Sequence, residues 1–246
     1  DAFPDDQKGL IYMANIHEHA VLSDILVPNG SGFIASDGEA ILQANNAQWI
    51  GFSLEIGPEG ALYVLDWHDA DICGKEVANK ETGRIFRFSP EESQAQEWEG
   101  RYDDLGALSD LALVELQTSP SDWHARRARV ILQGRAAKQE IAELAVEKAM
   151  SILYDSRNED HRLKALWTLH VTDALEDREI WALTQDSDEY IRAWSVQMLC
   201  EDHSPPLEAF VFFEQMAKED PSPVVRLYLA AALQRMQLDD RWTIAE

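Results

Sequence analysis

The sequence predicts a chain of two classes in succession: a partial β-propeller of about two blades, then an α-solenoid of HEAT-like repeats. Three observations carry this expectation. Residues 51–89 hold three short alternating runs separated by turn residues. From Leu105 onward glycine becomes scarce and the apolar period changes to that of helices. Within that part a helix pattern returns at starts 125, 162, 192 and 226, spacings of 37, 30 and 34 residues, the period range of paired-helix repeats.

In the β part, residues 52–56 and 61–66 flank the turn Gly57-Pro58-Glu59-Gly60. Proline presets φ at a corner and glycine accepts positive φ, so the turn has a mechanism. Leu62 and Val64 alternate with Ala61, Tyr63 and Leu65, the period-2 signature of a strand. A third run, 83–88, alternates Ile85 against Arg84 and Phe86 against Arg87. Upstream, 9–15 reads as a strand, 20–27 as a second element, 28–32 as a turn and 33–36 as a short strand. Residues 40–44 form a further short strand or turn. The expected domains are 1–89 for the blades, 90–101 (PEESQAQEWEGR) for a polar linker and 102–246 for the solenoid. A complete propeller needs at least four blades of about 40 residues, so either further blades belong to a larger parent, the favoured reading, or the β segment is a small sheet leaning on the solenoid.

The helical repeats align as Ala125-Ala128-Leu132, Arg162-Ala165-Leu169, Arg192-Ser195-Leu199 and Arg226-Leu229-Leu233. Their lead-ins are SPSDWH, NEDH, DSDEYI and DPSPVV. Ser, Asn and Asp cap helix N-termini, and proline suits the first turn. A second helix precedes each lead-in, as at 141–154 and 207–218. Arg162, Arg192 and Arg226 are expected to tie one repeat's loop to the next repeat's aspartate. Trp123, Trp167, Trp181 and Trp194 are expected in packing; several on one exposed face would form a partner groove.

Composition bounds the function classes. Lys and Arg total 21 against 45 Asp and Glu, a net charge of −24. That balance disfavours nucleic acid, whose binding needs a basic surface, and anionic lipid. Hydrophobic content of 46% with eight tryptophans supports packed cores. No run of 18 apolar residues predicts a membrane span, and DAFPDDQKG has neither the basic start nor the apolar core of a signal peptide. Cys73 and Cys200 stand alone, so this chain holds no CxxC zinc pattern and no CxxCH haem attachment.

Candidate site residues cluster in DWHDAD. Asp66, Asp69 and Asp71 are oxygen donors on a loop, the kind Ca²⁺ prefers. The alternative is that Asp66 caps the strand end and the others are solvated. His68 is a poor Ca²⁺ ligand and suits proton transfer or a transition metal instead. Arg84 pairs with Asp66 or Asp69, or else receives an anion. His17 and His19 in NIHEH would share one face if the first strand continued through them.

The order IHEH, SDIL, NGSGF, ANNAQWIGFSLEIGPEGALYVLDWHD and TGRIFRFS, with WHARRARVIL and HRLKALWTLH, resembles a known family. It is similar to the C-terminal part of the PVC-type haem-binding, membrane-bound dehydrogenases. In these a glucose/sorbosone-dehydrogenase-like propeller precedes HEAT repeats, and a CxxCH cytochrome domain often follows. The resemblance spans nearly the whole chain. It implies an exported, periplasmic or extracellular parent, a quinone cofactor with Ca²⁺ or haem c in that parent, and His17 as a cofactor-binding residue. Where the family has Cys-His in the loop after the aspartate-bearing strand, this chain has Cys73-Gly74. The expected function is a fragment of a sugar-dehydrogenase-like oxidoreductase, inactive by itself, whose active site lies mostly in the missing blades. The alternative is a non-catalytic scaffold with a protein partner on the solenoid.

Overall fold

The computed structural model describes residues 1–69, 81–203 and 205–245. The order of classes is β then α. The chain divides into two compact units. The first comprises Asp1–Val27, Phe33–Asp103 and Pro120–His124, and the second Pro28–Gly32, Asp104–Ser119 and Ala125–Glu246.

Two open antiparallel sheets occupy the β part. The first holds β1 (Ile11–Asn15), β2 (Ala20–Asn29), β3 (Gly32–Asp37) and β4 (Leu42–Gln43), ordered β1-β2-β3 with β4 also on β2. Register runs from Ile11 opposite Asp24 to Asn15 opposite Ala20. The second sheet is β5 (Gly51–Ile56), β6 (Leu62–Asp66) and β7 (Arg84–Phe88), in that order. Its rows place Leu54, Val64 and Phe86 side by side. Among the described residues the sheets close into neither a barrel nor a ring of blades.

Alternation puts one face of each sheet inward. Val21, Trp49, Leu62 and Val64 form the buried cluster, with Phe3, Tyr12, Leu42, Leu54, Phe86 and Phe88 packed against it. The other face of the second sheet is left apolar and open, at Phe52, Leu65, Trp67 and Ile85.

The β5–β6 turn is closed by Gly57 N–H to Ala61 O at 2.9 Å and Gly60 N–H to Gly57 O at 2.9 Å. Gly60 has φ +81°, and a Cβ there would lie 2.2 Å from Asp1 Oδ1 and 2.6 Å from Ala2 N. Both the dihedral and the close approach therefore require glycine. Gly51 is needed for the second reason alone: a Cβ would sit 2.1 Å from the Trp49 ring.

Segment 90–101 belongs to the first unit and is anchored there at its end. Arg101 is wholly buried, its Nη2 bonded to Asp1 Oδ1 and Oδ2 at 3.1 and 3.0 Å and its Nη1 to Gln96 O at 2.6 Å. The guanidinium lies 4.4 Å from the Trp98 ring centre. Its backbone carbonyl accepts the Nε2–H of His124 at 2.7 Å, and His124 Nδ1 accepts from Ser121 Oγ at 2.7 Å. Burial lowers the His124 pKa, which keeps the ring neutral between these partners.

The second unit is helical. Its elements are α1 (Asp110–Glu115), α2 (Asp122–Ala136, begun in the first unit), α3 (Glu143–Asp155), α4 (Glu159–Val171), α5 (Asp177–Leu183), α6 (Glu189–Leu199), α7 (Leu207–Glu219), α8 (Pro223–Ala232) and α9 (Trp242–Ala245). Asn158, Asp188 and Ser222 cap α4, α6 and α8 with side-chain oxygens, and Pro223 fills the first turn of α8. α3 packs on α4, α5 on α6 and α7 on α8, while α4, α6 and α8 neighbour one another in succession. Ala165, Leu169, Ser195, Leu199 and Leu229 of the recurring pattern are buried. Among the described residues no helix is long and apolar enough to cross a membrane.

Two matching ion pairs lock this array. Arg162 on α4 holds Asp186, ahead of α6, through Nη1–Oδ1 at 3.1 Å and Nη2–Oδ2 at 2.6 Å. Arg192 on α6 holds Asp220, ahead of α8, through Nε–Oδ2 at 2.8 Å and Nη2–Oδ1 at 2.9 Å. Each aspartate also accepts the N–H of the next helix's cap residue, Asp188 or Ser222, at 2.8 Å. Thus each arginine reaches forward to the next lead-in, as expected. Arg226 instead bonds the Asp220 carbonyl.

Two outcomes follow from these contacts. Gly60→Ala should destabilise by more than about 1 kcal/mol, whereas Gly9→Ala, also at positive φ but with open space around it, should cost less. Chemical denaturation of the two variants decides this, and equal losses would refute the close-approach argument. Arg192→Ala should cost at least about 2 kcal/mol, because it leaves Asp220 half-buried and unpaired. The double change Arg192→Met with Asp220→Leu should recover most of that loss. Burial pushes the Asp220 pKa up, but the Arg192 and Ser222 bonds outweigh it and the net shift is downward. Its contribution is therefore complete above the unfolded value of about 3.9 and disappears as pH falls through the lower folded value. Acid titration should show wild type losing stability there and the double variant losing less.

Candidate functional site

The sharpest polar cluster sits where β6 ends and β7 begins. Antiparallel register sets Asp66 directly opposite Arg84. The Asp66 side chain is fully buried. Oδ1 accepts the N–H of Ile50 at 2.8 Å and of His68 at 2.9 Å. Oδ2 accepts Arg84 Nη2 at 2.8 Å and Nε at 3.1 Å. One carboxylate thus ties the start of β5, the loop after β6 and the start of β7.

His68 closes the cluster. Its φ is +53°, a left-handed turn that brings the ring back over the strand end. Nδ1 accepts a hydrogen bond from Arg84 Nη2, which leaves the proton on Nε2. Its carbonyl accepts Thr82 Oγ1 at 3.2 Å. The Arg84 guanidinium also lies 5.1 Å from the Phe86 ring centre, with 43% of its side chain exposed. Asp69 is buried.

This geometry decides between the readings of DWHDAD for one residue. Asp66 has two N–H donors on each oxygen and a cation beside it, so it offers nothing to Ca²⁺ and acts as a strand latch. Among the described residues no three His, Cys, Asp or Glu side chains are grouped to hold a metal. Asp71 and Cys73 lie outside the described residues. Cys200 is buried, and that burial pushes its thiol up to about 11, far from a reactive thiolate.

His17 and His19 do not share a strand face, because β1 stops at Asn15. The Asn15 side chain accepts the N–H groups of His17 and Glu18 at 3.0 and 3.1 Å, turning the chain out of the strand. His17 is exposed on that turn. His19 is the structural histidine: its Nδ1–H donates to Trp49 O at 2.8 Å. Trp49 and Ile50 are thereby held between His19 and Asp66. The Arg101–Asp1–His124 group escaped sequence reasoning, since its members are about 100 and 20 residues apart and no local pattern joins them; the sole trace was a lone Arg between two aromatics, Trp98 and Tyr102.

Comparison with protein-family models and with curated proteins finds no match.

Adding Ca²⁺ or a chelator should leave the thermal midpoint of the chain unchanged. A calcium-dependent rise would restore a site built on Asp69 and Asp71.

Proposed function

We propose that this chain is a non-catalytic binding scaffold, a partial β-propeller followed by a HEAT-like α-solenoid, and that the solenoid holds a protein partner. The observation that carries this reading is a row of aromatic side chains on alternate helices that neighbour one another, α4, α6 and α8. Trp167 on α4 meets Trp194 on α6 edge-on at 5.1 Å, and Trp194 meets Tyr228 on α8 at 5.9 Å. Arg129 on α2 stands 5.1 Å from the Trp167 ring centre. Burial raises the Tyr228 phenol pKa, and nearby Tyr190 adds to the effect.

Trp167, Trp194 and Tyr228 are each partly exposed. Trp, Tyr and Arg are the side chains that most often dominate binding energy at protein interfaces, because they present large rigid area at small entropic cost. The helices beneath are fixed by the Arg162–Asp186 and Arg192–Asp220 bridges, so the row is preorganised. Trp123 and Trp181 pack instead against His124 and Phe212.

The second part of the proposal concerns the parent. The resemblance to the PVC-type haem-binding dehydrogenases supports an exported, periplasmic or extracellular oxidoreductase whose quinone, Ca²⁺ or haem c is held by segments other than those described. The open apolar face of Phe52, Leu65, Trp67 and Ile85 supports a neighbouring blade against the second sheet. The commitment of the buried Asp66 to Ile50, His68 and Arg84 is consistent with catalysis lying elsewhere.

Two measurements test this. Dye reduction with sugar, quinone and Ca²⁺ should show no turnover by this chain; turnover abolished by His68→Ala would overturn the scaffold reading. Affinity capture should retain a defined protein set that Trp167→Ala with Trp194→Ala loses at unchanged helicity. Equal retention by the variant would remove the aromatic row as the docking surface.

A further inference from the structure

The first unit contains a cleft of about 560 Å³ that neither the strand latch nor the helical row explains. Its size falls within the range of small-molecule sites, roughly 300–1,000 Å³. Phe3, Tyr12 and Phe88 give it aromatic walls, Ile41 an aliphatic one. Phe3 and Tyr12 lean together with ring centres 6.3 Å apart.

The polar groups of the lining have a consistent sense. Two carboxylates, Asp6 and Glu39, border the cleft, and no lysine or arginine lines it among the described residues. The nearest basic residue in sequence, Lys8, is bound to Asp5 at 2.8 Å. The Tyr12 hydroxyl donates its proton to Gln7 O at 2.7 Å, and the Ser23 hydroxyl donates to Glu39 O at 2.8 Å. Both hydroxyl protons are thereby committed to the backbone and are not offered to a ligand. Burial raises the Tyr12 pKa and the charge of Asp6 raises it further, which places that carboxylate within electrostatic reach of the aromatic wall.

A site with two exposed carboxylates, aromatic ring faces and no basic residue in its described lining attracts a donor-rich positive charge. Ring faces favour cations through their quadrupole, by about 0.5–2 kcal/mol according to exposure. Anions meet repulsion, amplified by the chain's net charge of −24. A neutral acceptor finds few donors. We propose that this cleft binds a small organic cation, an ammonium or guanidinium group carried on an apolar body, with Asp6 and Glu39 receiving the charge and Phe3, Tyr12 and Phe88 enclosing the body. This proposal is independent of the scaffold reading, since the cleft and the aromatic row belong to different units.

The test is calorimetric titration of the full chain with three matched probes: phenethylammonium, phenethyl alcohol and phenylpropionate. The ammonium should bind at least about tenfold more tightly than the alcohol, equivalent to 1.4 kcal/mol, and the carboxylate should not bind. Asp6→Asn with Glu39→Gln should abolish that preference, while Asp5→Asn should preserve it. Both changed carboxylates are surface-exposed, so the fold should survive, and circular dichroism checks that it does. Equal binding of ammonium and alcohol, no ammonium binding at millimolar concentration, or a preference untouched by the double variant would each overturn the proposal.

Discussion

Arginine held against a buried aspartate is the constraint on which both units depend. Acids outnumber bases by 45 to 21, so most carboxylates lie on a surface that repels itself. A folded state is compatible with that excess because the acids at structural junctions are neutralised locally. Arg101 meets Asp1, Arg84 meets Asp66, Arg135 meets Asp110, Arg162 meets Asp186 and Arg192 meets Asp220. Each pair also receives or gives backbone hydrogen bonds, as Asp66 does with Ile50 and His68. That extra satisfaction is what makes a desolvated pair tolerable, since the Coulomb attraction alone rarely offsets dehydration.

The position of these pairs explains what they specify. Asp66 and Arg84 are cross-strand partners, so their bond is available only in one register of β6 against β7. A slip by one residue would place Asp66 on the open face and leave the Ile50 and His68 N–H groups unpaired. In the helical unit the Arg162 and Arg192 pairs each join a helix to the lead-in of its successor but one, while Arg135 ties α2 back to the start of α1. The caps at Asp188 and Ser222 are reached by the same aspartates. Register in the sheet and succession in the helices are therefore set by one type of contact.

The helical unit was legible because its information is local. Asn158, Asp188 and Ser222 announce their helices within four residues, and the apolar pattern returns at intervals of 37, 30 and 34 residues. The arginine bridges were legible too, since Arg162 and Arg192 stand at the same place in two repeats. The strands were legible from turn residues, to within a few positions at their ends. The role of Asp66 was only half legible. DWHDAD has the composition of an oxygen-rich loop, and composition is silent on which way a carboxylate faces. In the segment 90–101 the anchor was not legible for a related reason: Arg101 alone is buried, and its partner Asp1 is 100 residues away.

The same residue types thus serve opposite ends, and the difference lies in satisfaction. Around Asp66 both oxygens are matched by N–H donors and the neighbouring cation belongs to the chain itself, so this carboxylate stabilises and has no capacity left for a ligand. Around the cleft the sense is reversed. Tyr12 and Ser23 have donated their only protons to backbone carbonyls, and Asp6 and Glu39 face no basic residue in the lining. The carboxylates of Asp6 and Glu39 are exposed at the cleft, where water serves them at little cost until a better donor arrives. A cation arriving there displaces that water and gains ring faces that water cannot use. Unequal satisfaction of like residues is therefore the physical ground for assigning structure to one acidic cluster and recognition to the other.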